Sequence, residues 1–145
     1  RIPTMKLFTL ISAQPHLQNI STLLARIGLS AIFLLTGFSK IEFFDATAQY
    51  MSSVGLPEFL LPFVIAFEIV GGLFILLGFL TQLTAVAFAG FSLVSALLFH
   101  FQLDDQMQFL MFYKNIAMAG GFLALASVGA GKISLDQLVL KRSQA

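Results

Sequence analysis

One apolar stretch, PEFLLPFVIAFEIVGGLFILLGFL from Pro57 to Leu80, decides the fold class, because it is long enough to cross a bilayer. Apart from Glu58 at its start, its one ionisable residue is Glu68, which lies near the centre. An ionised carboxylate at the middle of a membrane helix costs about 3 kcal/mol or more unless it faces a partner or a water-filled cavity. Glu68 is therefore the first candidate for a functional site.

The composition of the whole chain indicates an integral membrane protein of one domain, residues 1–145. Hydrophobic residues make up 58% of the 145 residues and charged residues 10%, against about 25% charged in soluble proteins. The lipid bilayer is therefore a predicted partner. The net charge of +1 argues against nucleic acid. The chain has no cysteine and two separated histidines, so we predict neither thiol chemistry nor a metal site.

Four membrane spans are predicted, at about residues 20–40, 57–80, 83–101 and 109–128. Each is close to the ~20 residues that a helix needs to cross a bilayer. Because the last two links are short, we expect neighbouring helices to be antiparallel, in an all-α, up-down four-helix bundle. The longer first link, residues 41–55, predicts a short interfacial helix.

The basic residues predict the orientation of the bundle. With both ends of the chain on one side, that side carries five basic residues: Arg1, Lys6, Lys132, Lys141 and Arg142. The other side carries Lys40 and Lys114 near helix ends, together with several acidic residues. We therefore expect both termini to be cytoplasmic.

Each span has a stripe of small residues at helical spacing that includes an ionisable residue. The stripes are Arg26, Ser30, Phe33, Gly37 and Lys40; Glu68, Gly71, Ile75 and Gly78; Ala85, Ala89, Ser92, Ala96 and His100; Lys114, Ala117, Gly121 and Ala124. Small residues are typical of the faces on which membrane helices pack together. We therefore expect all four stripes to point inward, and Glu68 to lie within reach of Arg26 or Lys114.

Taken one at a time, these polar residues have simpler explanations. Arg26 and Lys40 could extend to the headgroup layers, or Arg26 could be a structural partner of Glu68. His100 could be an interfacial histidine, and Lys114 with Asn115 could anchor the fourth span. Taken together, Arg26, Lys40 and Lys114 against Glu68 sum to 3 − 1 = +2 with His100 neutral. Such a pocket suits a small anion or a quinone oxygen.

Several short motifs resemble the DoxX family of small four-helix membrane proteins. They are GFSK at residues 37–40, LGFLT at 77–81 and FYKN at 112–115, with an arginine early in the first helix and a histidine closing the third. The resemblance runs from about Leu23 to the tail at residues 131–136. It implies a location in the bacterial inner membrane and places the family's polar positions on Arg26, Lys40, Glu68, His100, Lys114 and Asn115.

The resemblance implies fold and location more than chemistry, although the family takes its name from a subunit associated with an archaeal thiosulfate:quinone oxidoreductase. Our first hypothesis is an oxidoreductase subunit that binds a quinone or small anion in the outer half of the bundle. Glu68 would be the proton-exchanging acid, His100 and Lys114 would hydrogen-bond the ligand oxygens, and Arg26 would tune Glu68. Lys40, Asn115 and Tyr113 would complete the lining. A redox partner protein or a second copy of the chain would be its partner.

The second hypothesis is a protein without catalysis, either a transporter of a small solute or proton or an assembly factor of a membrane complex. The two hypotheses differ in the access that they require. A quinone needs an apolar entrance between helices, whereas a transporter needs polar access from both membrane faces.

Overall fold

The computed structural model describes residues 2–145, so Arg1, counted above among the basic residues, lies outside the described part. The helices are α1 (Ile2–Phe8), α2 (Pro15–Glu42), α3 (Phe44–Ser53), α4 (Leu61–Leu77), α5 (Thr81–Phe99), α6 (Gln106–Val128) and α7 (Leu135–Gln144). A 3₁₀ turn, Glu58–Leu60, precedes α4. No strand occurs among residues 2–145. The all-α prediction is confirmed: four helices, α2, α4 with its 3₁₀ turn, α5 and α6, are long and apolar enough to cross a membrane, and the short α3 follows the first.

Helix α2 begins at Pro15, five residues before the predicted start of the first span. Proline suits the first turn of a helix because its fixed φ is already helical and its missing N–H would have no partner there. Helix α4 ends early, at Leu77, because Gly78 takes the left-handed conformation at φ 71°. The N–H of Phe79 then donates to the carbonyl of Phe74 at 2.8 Å, which closes the helix end.

Two antiparallel helix pairs, α2 with α4 and α5 with α6, form the most extensive contacts of the bundle. In the first pair, Gly37 lies against Ile69, Gly72 against Leu34, and Gly78 against Arg26. Residue numbers therefore increase along α4 as those of the facing residues on α2 decrease, as expected for antiparallel helices. A Cβ atom at Gly72 would lie 2.9 Å from two side-chain carbons of Leu34. Glycine thus permits the close approach of these two helices.

A layer of four phenylalanines, one from each spanning helix, fills the middle of the bundle. It consists of Phe33, Phe67, Phe88 and Phe122. The rings of Phe33 and Phe88 stack with centroids 4.1 Å apart, and those of Phe88 and Phe122 lie 5.3 Å apart. This phenylalanine layer separates two ends of the bundle. The terminal end holds the start of α2 and the C-terminal segment, and the cavity end holds Lys40, His100 and Lys114.

Three of the four predicted stripes point inward, and the fourth does not. Residues Arg26, Ser30, Phe33 and Gly37 are the buried residues of α2, and the stripes of α4 and α5 are buried as well apart from a half-buried His100. On α6, however, Ala117 and Ala124 are exposed. The buried residues there are Asn115, Ala119, Phe122 and Leu125. The prediction for α6 was wrong because the large Phe122 and Leu125 pack against the core, while Ala117 and Ala124 face outward.

Candidate functional site

Glu68 forms an ion pair with Lys40 across the contact between α2 and α4. The Lys40 Nζ atom donates to Glu68 Oε1 at 2.9 Å and to Oε2 at 3.0 Å. The hydroxyl of Thr36, one turn before Lys40, donates to Oε2 at 3.4 Å. The Glu68 side chain is 3% exposed and that of Lys40 is 27% exposed, so the lysine connects a buried carboxylate to a more open space.

The expected contact of Glu68 with Arg26 was wrong, and the hydrogen-bond partners of Glu68 within residues 2–145 are Lys40 and Thr36 rather than Lys114. Arg26 lies four helical turns from Lys40, at the other side of the phenylalanine layer, and its Nη2 atom donates to the carbonyl of Ile133 at 2.7 Å. The antiparallel packing of α2 and α4 decides this, because it places Lys40 beside Glu68 and Arg26 beside Gly78. Arg26 is therefore separate from the site at the cavity end.

A cavity of about 380 Å³ opens beside the ion pair, within the size range of small-molecule sites. Its walls are mostly aliphatic and aromatic. Its polar lining residues are Thr36, Lys40, Thr47, Tyr50, Ser92, Ser95, His100, Lys114 and Asn115. Four of the six predicted site residues thus line one cavity: Lys40, His100, Lys114 and Asn115.

Two residues expected in the lining lie elsewhere. Glu68 is not among the lining residues and lies behind Lys40, to which it is bonded. Tyr113 is 48% exposed and is also absent from the lining. Tyr50 of α3 takes the place expected for Tyr113, and its hydroxyl donates to the carbonyl of Phe99 at 3.1 Å. The predicted interfacial helix was the one sequence signal that could have found Tyr50.

Lys114 supplies a positive charge to the cavity and has no carboxylate partner in the described part of the chain. Among residues 2–145, the one hydrogen-bond partner of its Nζ atom is the Met111 sulfur, at 3.7 Å. It is close enough to Lys40 for the two charges to interact. With Arg26 removed from the sum, Lys40 and Lys114 against Glu68 give 2 − 1 = +1, in place of the expected +2. The charge still favours an anion or a carbonyl oxygen.

Hydrogen-bonding groups on α5 and α6 face the same space. The Asn115 amide donates to the Ser92 carbonyl at 3.2 Å. The Ser92 hydroxyl is buried and has no hydrogen-bond partner within the described residues, so it can donate to a bound molecule. His100 closes α5, and its Nδ1 atom lies 2.7 Å from Gln108 Oε1. The sequence marked Ser92 as a packing residue; Thr36 and Ser95 were missed.

Exposed apolar residues in the lining indicate that the cavity opens to the outside of the bundle between α4 and α5. The lining residues Phe91, Val94 and Leu98 lie on one flank of α5. That flank faces α4, since the rings of Phe91 and Phe67 are 5.2 Å apart. Val94 and Leu98 are 55% and 43% exposed. An apolar opening at these positions faces the lipid region of a membrane.

Fold and site together define a small four-helix membrane protein with a mostly apolar cavity between its helices that two lysines line. The DoxX family model matches residues 21–101, and the chain belongs to this family. It is 45% identical to the inner membrane protein YqjF of Escherichia coli, over 87% of this chain and 97% of that protein.

The chain also matches two further relatives over most of their length. The chain is 39% identical to the inner membrane protein YphA of E. coli, over 92% of this chain and 98% of YphA. It is 30% identical to a Bacillus subtilis protein named "Putative oxidoreductase CatD", over 85% of this chain and 90% of CatD. No solved structure matches the chain significantly.

Proposed function

We propose that this protein is the membrane subunit of an oxidoreductase and binds a quinone in the cavity beside Lys40 and Lys114. The observation that carries the proposal is the apolar lateral opening between α4 and α5, which leads to a lining with a net positive charge. A quinone dissolved in the bilayer can enter by such a route without crossing water. The name of the relative CatD supports the oxidoreductase class.

In this proposal, the roles follow from the positions of the side chains. Lys114 and the Ser92 hydroxyl have no strong partner among residues 2–145 and donate to the quinone oxygens. Charge-assisted hydrogen bonds of this kind are strong where the surroundings are apolar. Lys40 faces the ligand and is held by Glu68, the proton-exchanging acid. His100, at the C-terminal end of α5, exchanges protons with water at the cavity end. The Asn115 side chain holds the backbone carbonyl of Ser92 in place.

We also propose that the protein is one transmembrane domain of the bacterial inner membrane, with both termini cytoplasmic. The two E. coli relatives are inner membrane proteins by name. The backbone N–H of Lys132 donates to the Asn19 side chain at 3.0 Å, so the start of α2 and the segment that precedes α7 meet at one end. Basic residues at that end favour the cytoplasmic side.

Transport across the membrane is less well supported than quinone binding. The phenylalanine layer lies between the cavity and the terminal end, and its ring centroids are 4.1 to 5.6 Å apart around Phe33 and Phe88. A solute or proton would need a polar route through these stacked rings. The one-sided cavity therefore favours a ligand that enters from the lipid.

Quinone binding can be tested on the purified protein in detergent with a short-chain ubiquinone analogue. Binding should weaken about tenfold in Lys114→Met, as expected for the loss of one charge-assisted hydrogen bond. Lys141→Met, the same change on exposed α7, is the matched control and should bind as wild type. Equal binding by the wild type and a triple variant at Lys114, His100 and Glu68 would refute the proposal. Thiosulfate or proton flux through wild-type proteoliposomes would favour transport.

A further inference from the structure

A second recess, of about 690 Å³, lies at the terminal end of the bundle, on the far side of the phenylalanine layer from the proposed quinone site. The start of α2, the start of α5, the end of α6 and the C-terminal segment form its walls. Because spanning helices begin and end here, the recess lies at the depth of the lipid headgroups. This position makes the recess accessible to the headgroups of membrane lipids.

The floor of the recess is polar and includes one buried donor without a partner. The amide side chains of Gln18, Asn19 and Gln82 contribute to the lining, as does Thr81. Thr81 is a buried residue, and its hydroxyl has no hydrogen-bond partner within residues 2–145. A buried hydroxyl without a partner costs free energy, which a bound acceptor atom would offset.

The charges around the recess favour an anion. Lys132 is exposed and lines the recess. Both carboxylate oxygens of Asp136 already accept backbone N–H groups, from Leu80 at 2.7 Å and Thr81 at 3.0 Å. The buried Arg26 also interacts electrostatically with Asp136. Asp136 is thus engaged by backbone donors and by Arg26, which lies outside the lining, and within residues 2–145 Lys132 is the basic residue that lines the recess.

The walls that face outward are apolar, and this distinguishes a lipid from a free ion. Leu83 and Val128, at the facing ends of α5 and α6, are 70% and 62% exposed. Val139 and Leu140 of α7 are 53% and 54% exposed. Acyl chains would run along Leu83 and Val128, while a phosphate would lie beside Lys132 and Thr81.

We infer that this recess binds the headgroup of an anionic glycerophospholipid, with its phosphate held by Lys132 and the Thr81 hydroxyl. The site is independent of the proposed quinone cavity and goes beyond that function. It would fix the depth of the terminal end in the cytoplasmic leaflet, where anionic lipids attract basic side chains.

Native mass spectrometry of the full chain in detergent tests this site, with dioleoyl phosphatidylglycerol as the probe. Lys132→Gln should reduce lipid retention about fivefold, the effect of one lysine near an anionic surface. Thr81→Val should also reduce retention, whereas Thr81→Ser keeps the hydroxyl and should bind as wild type. The matched control is Lys141→Gln, which removes a neighbouring charge outside the lining.

Two results would overturn the inference. Equal losses in Lys132→Gln and Lys141→Gln would mean diffuse attraction of lipid to a basic surface. Displacement of the lipid by millimolar inorganic phosphate would mean a site for the free ion. Loss in Lys132→Gln and Thr81→Val, with retention in Thr81→Ser and Lys141→Gln, would support the site.

Discussion

The two ends of the bundle both bury charged side chains, but they use them differently. At the cavity end, Lys40 and Glu68 form a direct ion pair at 2.9 Å that borders an open space. At the terminal end, Arg26 and Asp136 bond to backbone groups: Arg26 to the Ile133 carbonyl, and Asp136 to the N–H groups of Leu80 and Thr81. The first arrangement leaves a cation facing a cavity, whereas the second fastens the C-terminal segment to the α4–α5 turn.

This difference separates a charge that borders a cavity from a charge that holds backbone groups in the same membrane protein. Charges that satisfy backbone groups at a turn stabilise the connection between helices. Charges paired side chain to side chain beside a cavity can exchange partners when a ligand enters. The comparison therefore predicts that variants at the two ends fail in different ways.

The largest effect is expected from Lys40→Met, which leaves the Glu68 carboxylate, 3% exposed, without its cation. The loss of one partner of a buried pair costs about 3–5 kcal/mol. Glu68→Leu should cost less, since the Lys40 side chain is 27% exposed and can extend towards water. Unfolding by sodium dodecyl sulfate would measure both. The double variant should regain most of the loss; a double variant as unstable as Lys40→Met would contradict the pairing.

The layer between the two ends can be tested with Gly71→Ala. A Cβ atom there would lie 2.5 Å from Phe88 Cζ, and Phe88 is held in the stack by Phe33. Such overpacking costs about 1–3 kcal/mol. Gly120→Ala on α6 is the matched control, with no atom within 4 Å of the added Cβ. Thermal stability in detergent should fall for Gly71→Ala alone. Equal stabilities of the two variants would mean that the phenylalanine layer can shift to make room for the added methyl group.

At the terminal end, Asp136→Ala should remove the cap from two backbone N–H groups at the start of α5 and cost about 1–2 kcal/mol. The change should also free the C-terminal segment, so that trypsin cleaves at Lys132 faster than in the wild type. The control is Asp105→Ala, which removes the local cap of α6 at Gln108 and should not affect that cleavage. Unchanged proteolysis of Asp136→Ala would show that other contacts hold the segment.

The smallest effect is expected from Thr36→Val. Its hydrogen bond to Glu68 is long, at 3.4 Å, so its removal should cost about 0.5 kcal/mol or less. The free energy of unfolding would measure this change, with Thr47→Val in α3 as the control. A loss as large as that of Lys40→Met would mean that Thr36, rather than Lys40, holds the carboxylate.

Hydropathy and helical spacing predicted most of the fold. Four spans, the short helix after the first and the inward faces of α2, α4 and α5 follow from the sequence, because lipid requires long apolar helices whose packing faces are small. The same rule failed on α6, where Asn115 and Phe122 lie inward and Ala117 outward. Small residues permit close helix packing but do not require it, so the side chain that fills a particular gap decides the face.

The sequence by itself determined which residues are polar inside the membrane and at what depth: Arg26, Lys40, Glu68, His100, Lys114 and Asn115. Only the tertiary structure decided which of them meet. The antiparallel alignment of α2 and α4 pairs Glu68 with Lys40 and moves Arg26 to the terminal end. Depth along one helix is a local property, but a contact depends on the register and rotation of two helices, which the packing of Gly37, Gly72 and the phenylalanine layer sets.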